Sequence, residues 1–253
     1  MVEEKNKKLL IISDLHGNYE ALKTVLDTRM AREAEEIYCL GDIVGYGASP
    51  GKCVEEIRSR GAKVILGNHD ALVTGRISFQ EVNILAEQAA RWTQKQLTDR
   101  QIEYLRELPV KLRSGEFMFY HGSPSRPLRQ YVETPWDFRR AWSQVHDCLL
   151  LGLGHLHKPR LVRGRRGEEL QAVKVKYEEP FEFAEDEVGV FNPGSVGQPR
   201  DGDSRAACCL AEVVGKNIKL SWQRVEYDVT AAADRIVEAG LPTRLADRLF
   251  KGR

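Results

Sequence analysis

Near the amino terminus, short apolar runs each end in a block of polar residues, and helix-like intervals separate them. Residues 9–12 close on Ser13-Asp14, residues 37–40 on Gly41-Asp42, and residues 64–66 on Gly67-Asn68-His69. Uninterrupted apolar runs of this length read as strands buried on both faces. Between the first two, Leu22, Val25, Leu26 and Met30 recur at helical spacing. Between the second and third, Ser49 and Pro50 read as an N-cap and first helical position, and Gly61 as a helix stop. Strand–helix–strand–helix–strand alternation predicts an α/β core that is at least partly parallel. Sheets of that kind bind ligands beyond the carboxyl ends of their strands, where these polar blocks fall.

Further along, residues 78–108 read as helical, with capping-box pairs at Ser78/Glu81 and Thr98/Gln101, and Pro109 closes the segment. Residues 116–120 read as a strand leading to His121. Thr134-Pro135 opens a helix with Trp136 and Trp142 facing inward, and residues 148–151 form a strand leading to Gly154-His155. From 159 to 226 the pattern alternates in β fashion, with turn signals at Gly164, Gly167 and residues 215–217, and predicts a second, largely antiparallel sheet. Residues 228–250 return to helix, broken at 240–242. No composition break, repeat or low-complexity tract marks a linker. The expected organisation is one domain over 1–253, with 78–108 as a helical, cap-like insertion that serves as a lid or a dimer surface. The oligomeric state is not legible.

Bulk composition narrows the class. A hydrophobic content of 42% with 30% charged residues fits a soluble globular chain, and a net charge of +1 gives no global attraction to nucleic acid or membrane. The five cysteines, Cys39, Cys53, Cys148, Cys208 and Cys209, are irregularly spaced and contain no CxxC pair. A disulfide framework is therefore not expected, and a reduced, cytoplasmic setting is. The charged residues 1–8 and the short apolar run after them do not make a signal peptide, and no stretch approaches the length of a membrane span.

All but one of the six histidines lie in blocks that also carry Asp, Asn or Gly: Asp14-Leu15-His16, Gly67-Asn68-His69-Asp70, His121-Gly122 and Gly154-His155-Leu156-His157, with Gly41-Asp42 between them. Imidazole and oxygen donors clustered in this way are what a site for two divalent metals needs. Two such ions neutralise phosphate oxygens and lower the pKa of a shared water. Mixed N/O ligation favours Mn, with Fe or Zn as alternatives, over Mg or Ca. Asp14 and His16, two apart on an extended segment, point to one side and suit chelation of one ion, and His155 and His157 repeat the spacing. Asp42, alone after a permissive glycine, suits a bridge. Asn68 offers a neutral amide oxygen. His69 points elsewhere and is placed to meet substrate as an acid or an imidazolium, with Asp70 orienting it.

The order Asp-x-His, Gly-Asp, Gly-Asn-His-Asp, a later His, and Gly-His-x-His across residues 14–157 resembles the calcineurin-like metallophosphoesterases. Residues 192–200, Asn-Pro-Gly-Ser-Val-Gly-Gln-Pro-Arg, resemble the segment that follows in the small bacterial and archaeal branch. The resemblance implies two packed mixed β-sheets flanked by helices. It also implies that Asp14, His16 and His157 hold one ion, that Asn68, His121 and His155 hold the other, and that Asp42 bridges them. His69 would contact the phosphate and protonate the leaving oxygen, and a hydroxide bridging the ions would attack. Leu156 stands where many relatives have a small polar residue, which is not a ligand position.

The resulting expectation is a phosphoester hydrolase with a phosphorylated small molecule or nucleotide as substrate, either a phosphodiester or a phosphoanhydride. The alternatives are a serine/threonine phosphoprotein phosphatase and a non-catalytic metal-binding scaffold. A nucleic-acid enzyme is disfavoured by the near-zero charge and the lack of a long basic stripe. Arg126, Arg129, Arg139 and Arg140, and the basic run 163–167, read as solvated faces more readily than as phosphate sites. Gly194-Ser195 reads equally as an anion-facing turn or a structural one, and His146, in a helical stretch, as a surface histidine.

Overall fold

The computed structural model describes residues 6–177 and 179–253. In chain order the strands are β1 (Lys7–Ile12), β2 (Glu36–Cys39), β3 (Lys63–Val64), β4 (Lys111–Ser114), β5 (Phe117–Tyr120), β6 (Leu150–Leu153), β7 (Arg160–Arg165), β8 (Gln171–Val173), β9 (Phe181–Phe183), β10 (Glu187–Asn192), β11 (Ala206–Val214) and β12 (Asn217–Val225). The helices are α1 (Tyr19–Leu26), α2 (Arg29–Glu33), α3 (Pro50–Ser59), α4 (Asn68–Val73), α5 (Ile84–Gln96), α6 (Asp99–Glu107), α7 (Pro135–Trp142), α8 (Val229–Glu238) and α9 (Thr243–Lys251).

The strands make two mixed six-stranded sheets, ordered β3-β2-β1-β11-β12-β9 and β4-β5-β6-β10-β7-β8. β1, β2 and β3 are parallel, as are β5, β6 and β10, and the remaining pairings are antiparallel. Alternation along β1 shows how the layers stack. Leu9 and Ile11 join Tyr38, Phe117, Phe119 and Trp222 between the sheets, whereas Leu10 and Ile12 join Leu22, Val25 and Ile57 beneath the helices. Because both faces of β1 are covered, its sequence is apolar without interruption. The second sheet buries its outer face under α7, through Phe138 and Ala141 against Leu151 and Val190.

The strand-rich 159–226 region does not form a sheet of its own. β7, β8 and β10 extend the second sheet, while β9, β11 and β12 complete the first. Period-two alternation identifies strands but not their neighbours, and the pairing of β11 with β1 is a long-range contact with no local signal. Gly164 lies inside β7 and not at a turn; the turn falls at Gly167, φ +91°. Trp136 is 58% exposed, because α7 turns Phe138 and Ala141 inward instead. His146 is exposed and lies beyond the end of α7.

The 78–108 segment is a short 3-10 turn (Phe79–Glu81) followed by α5 and α6, and both expected capping boxes are present. Leu97, Leu105 and Leu108 pack into the helical core, so the segment belongs to the flanking layer.

Candidate metal centre

The loops after β1, β2, β3, β5 and β6 converge at one end of the sandwich. The loop after β1 is held by a continuation of the sheet's bonding: Asp14 N donates to Gly41 O at 3.0 Å and His16 N to Asp42 O at 2.9 Å. From the other side, Ser195 Oγ donates to Asp14 O at 2.7 Å, and Val196 N and Gly197 N donate to Ser13 O and Asp14 O at 3.0 Å. The amides after Gly194 therefore buttress the Asp14 loop and do not face an anion. Asp14 and His16 are not extended, as expected from the sequence, but left-handed, at φ +54° and +49°. Asp42, His155 and His157 share this conformation at +54°, +65° and +61°. Non-glycine residues adopt it rarely, and a group of them in one place marks a site whose surroundings impose the strain.

The donors fall into two sets that share Asp42. Asp14, His16, Asp42 and His157 bring their donor atoms within 4.8 Å of one another, and Asp42, His121 and His155 do the same. Asn68 joins the second set, its Oδ1 lying 3.0 Å from His121 Nε2. Each aspartate uses one oxygen locally and leaves the other free. Asp14 Oδ2 accepts from His155 N at 3.2 Å, and Asp42 Oδ1 accepts from His69 N at 2.8 Å. Asp14 Oδ1, Asp42 Oδ2, His16 Nδ1 and His155 Nε2 are buried without hydrogen-bond partners. Asp42 Oδ2 stands 3.7 Å from His16 Nε2 and 3.4 Å from His121 Nε2, between the two sets.

The histidine tautomers sharpen this. His121 Nδ1 faces Leu40 O at 2.6 Å and His157 Nδ1 faces Gln198 O at 2.6 Å. A carbonyl only accepts, so each Nδ1 carries its ring's proton and each Nε2 of the neutral ring turns a lone pair inward. His157 Nε2 then confronts Asp14 Oδ1 at 3.2 Å and His16 Nε2 at 3.1 Å. Electron-rich atoms held this close and out of water need a cation among them.

Charge behaviour agrees. Burial, followed by neighbouring charge, holds His16, His155 and His157 below the ordinary imidazole range, so they are neutral donors. Burial opposes ionisation of Asp14 and Asp42, but the positive charge that His157 and His121 carry when protonated outweighs it and holds both carboxylates below their ordinary range. His121 is pushed up to about 9, since Asp42 outweighs its burial. The field that would draw a divalent ion there also draws a proton, and metal binding displaces that proton.

His69 lies outside both donor sets. Its ring is T-shaped to His16 at 4.8 Å and packs on Tyr46 at 4.4 Å. Burial, chiefly, lowers it to about 4, and its buried Nδ1 has no partner. Asp70 does not orient this ring. Its carboxylate accepts from Asp42 N at 2.8 Å, Gly67 N at 3.0 Å and Val44 N at 3.2 Å, which clamps the Asp42 loop to the start of α4. Burial and the charge of Asp42 push its pKa up.

A pocket of about 290 Å³ opens over Asn68, His69 and His155, walled by Glu81 and Asn83 on one side and by Arg129 and Tyr131 on the other. Tyr131 stacks on His155 at 3.8 Å, and Arg129 forms an ion pair with Glu81 across the opening. Of the other arginines, Arg139 pairs with Glu169 at 2.8 Å and Arg140 lies over Trp136. In the 163–167 run, Arg163 is bound to Glu187 and Arg165 to Asp186. Tyr46 and Tyr131 carried no sequence signal as site residues, since neither adjoins a donor and only the tertiary fold brings them there.

Residues 8–216 match the family described as the calcineurin-like phosphoesterase superfamily domain, and the chain belongs to that family. The family is dinuclear-metal-dependent, and the chain is a hydrolase acting on phosphoester bonds. It is 36% identical to an uncharacterized protein of Methanocaldococcus jannaschii, over 97% of this chain and 98% of that one. Among solved structures it is similar to a metallophosphoesterase from Sphaerobacter thermophilus, with 35% identity, a TM-score of 0.83 and coverage of 98% and 100% of the two chains. A hypothetical protein from Pyrococcus horikoshii shares the fold at 22% identity, with a TM-score of 0.78 over 97% and 98% of the chains. No helix among the described residues is long and apolar enough to cross a membrane.

Proposed function

We propose that the protein hydrolyses phosphodiesters or nucleotide-type phosphoanhydrides of small molecules in the cytoplasm. In this reading Asp14, His16 and His157 hold one divalent ion, Asn68, His121 and His155 hold a second, and Asp42 is shared. Mn is the first expectation for this nitrogen and oxygen donor set, with Fe or Zn next. Bound there, the ions supply charge neutralisation for phosphoryl oxygens and a water acidic enough to ionise near neutral pH.

The chain's own residues do the rest. Asp70 and the Asp42–His69 backbone bond fix the shared carboxylate. Burial keeps His16, His155 and His157 deprotonated. His69 borders the pocket over Asn68 and His155. An incoming phosphate anion raises its proton affinity, so that it holds a proton for the departing oxygen. The pocket of about 290 Å³ is at the small end for ligand sites, which favours a small molecule over a phosphorylated protein segment.

The observation that carries this reading is Asp42 Oδ2, buried and unpartnered between the imidazoles of both donor sets. The test strips the protein with chelator and restores Mn²⁺ while hydrolysis of bis(p-nitrophenyl) phosphate is followed, with Asp42→Asn alongside. Activity that returns with the ion, and falls by about a hundredfold or more in the variant, is the expected result. A metal-loaded wild type inert on diesters and phosphoanhydrides alike would leave the scaffold reading standing.

A further inference from the structure

Tyr46 holds a bulky aromatic side chain in the left-handed region, φ +62°, between two glycines. Such strain persists only where the surroundings impose it. Here Gly47 N donates to His16 O at 2.8 Å and ties the turn to the metal-side loop. The ring is 4.4 Å from that of His69 and 4.8 Å from that of His16. The guanidinium carbons of Arg200 and Arg248 are each 6.0 Å from its centroid.

Nearby, Arg205 is paired with Asp203, Arg224 with Asp201 and Arg235 with Glu20. Among the described residues Arg200 and Arg248 form no ion pair. Arg200 donates to Gln198 Oε1 at 3.0 Å and keeps a buried Nε without a partner. Arg248 sits half-buried on α9, its pKa lowered by burial and by the positive charge of Arg200. Two guanidiniums that flank one ring without a carboxylate, one of them with an unpaired buried donor, are relieved by an anion.

Arg200 also borders a groove of about 770 Å³. Four more cationic side chains line it, Arg160, Lys174, Arg253 and Lys158, the last paired with Glu133, and its carboxylate, Asp201, is already bound to Arg224.

We propose that Arg200 and Arg248 form a subsite for a second phosphoryl group, linked to the one at the metal centre, and that the substrate is therefore a condensed phosphate. Tyr46 spaces the two guanidiniums and fixes them relative to His69. The inference rests on the phosphoester reading of the donor cluster. A diester with two organic arms leaves the arginine pair without a ligand. A diphosphate places one anionic group at the cluster and the next at the arginines, and the cationic groove accepts any further phosphates of a chain.

The test is calorimetric titration of the Mn²⁺-loaded protein, dialysed free of excess ion, with methylphosphonate and with methylenediphosphonate, whose P–C–P link is not hydrolysed. The expected result is that wild type binds the diphosphonate about tenfold or more tightly than the monophosphonate. Arg248→Gln then loses most of that gain and keeps its monophosphonate affinity within about twofold. Arg248→Lys, which keeps the charge but not the fork, serves if the glutamine variant does not fold. Equal affinities in wild type overturn the proposal, as does an undiminished gain in the variant or a parallel loss for both ligands. Bis(p-nitrophenyl) phosphate hydrolysis runs beside it. Turnover of the diester without preference for the diphosphonate sinks the subsite alone, and absence of both binding and turnover sinks the phosphoester reading with it.

Discussion

The two imidazoles whose Nδ1 protons go to Leu40 O and Gln198 O are donors by construction, whereas His69 has no such partner and stands apart from both donor sets. That difference separates holding a metal from handling a proton. His69→Asn is expected to lower kcat by about 10²–10⁴-fold with the metal content measured by plasma emission unchanged. His121→Asn is expected to lose metal as well as activity. If His69→Asn also emptied the site, its ring would have to be reassigned to the donor set. At this scale the donors were legible, because Asp14, His16, Asn68, His155 and His157 sit in contiguous blocks. Their backbone was not. The left-handed φ values of Asp14 and His16 come from bonds to residues 41, 42, 195 and 197, which no local pattern announces. Adjacency alone suggests Asp70 as a partner of His69, and the fold turns its carboxylate to backbone amides instead.

Among the elements, the parallel trio β1, β2 and β3 is pinned at the end away from the metal centre by Glu36. Its carboxylate meets Lys7 Nζ and Lys63 Nζ at 2.9 Å each and accepts from Tyr38 Oη at 2.8 Å. Burial opposes ionisation of Glu36, but these bonds prevail and bring it from the ordinary 4.5 down to about 2. A depressed carboxylate pKa gives stability that is fully present above about 4.5 and is lost as pH falls toward 2. Glu36→Gln is expected to flatten the pH dependence of urea unfolding in that window by on the order of 1 kcal/mol, and an unaltered slope would count against the pin. Gly197 supplies a second test at this scale. A Cβ there would stand 1.7 Å from Leu15 O. Gly197→Ala is expected to cost roughly 1–3 kcal/mol and to weaken metal binding, read by competition with a chromogenic chelator, although no donor is removed. The strands of the α/β half were legible because they are buried on both faces. The partition of β7 to β12 between the sheets was not, since it depends on pairings such as β1 with β11.

For the whole molecule, the donor cluster bridges both sheets: Asp14 and Asp42 follow strands of the first, His121 and the His155–His157 pair strands of the second. Ions bound there stabilise only the folded state, by about 2.7 kcal/mol at a hundredfold excess over Kd. For a chain of this size each kcal/mol moves Tm by about 2–4 °C. Chelation should therefore lower the melting temperature by roughly 5–10 °C, and Asp42→Asn should be nearly indifferent to chelator. A chelator-insensitive wild type would argue against tight metal binding.

The Asp14 loop is propped by Ser195, Val196 and Gly197, and β1 finds its antiparallel neighbour only in β11. A nascent chain therefore carries Asp14 and His16 well before it is able to present them. The centre takes shape only after the ribosome has released the segment around residue 200, because the peptide bonds that aim Asp14 have not yet been made. Ions in the surrounding fluid thus meet either a growing polypeptide with scattered ligands or a folded domain with a formed cradle. The fold itself delays metal loading until residues 195–214 have been made.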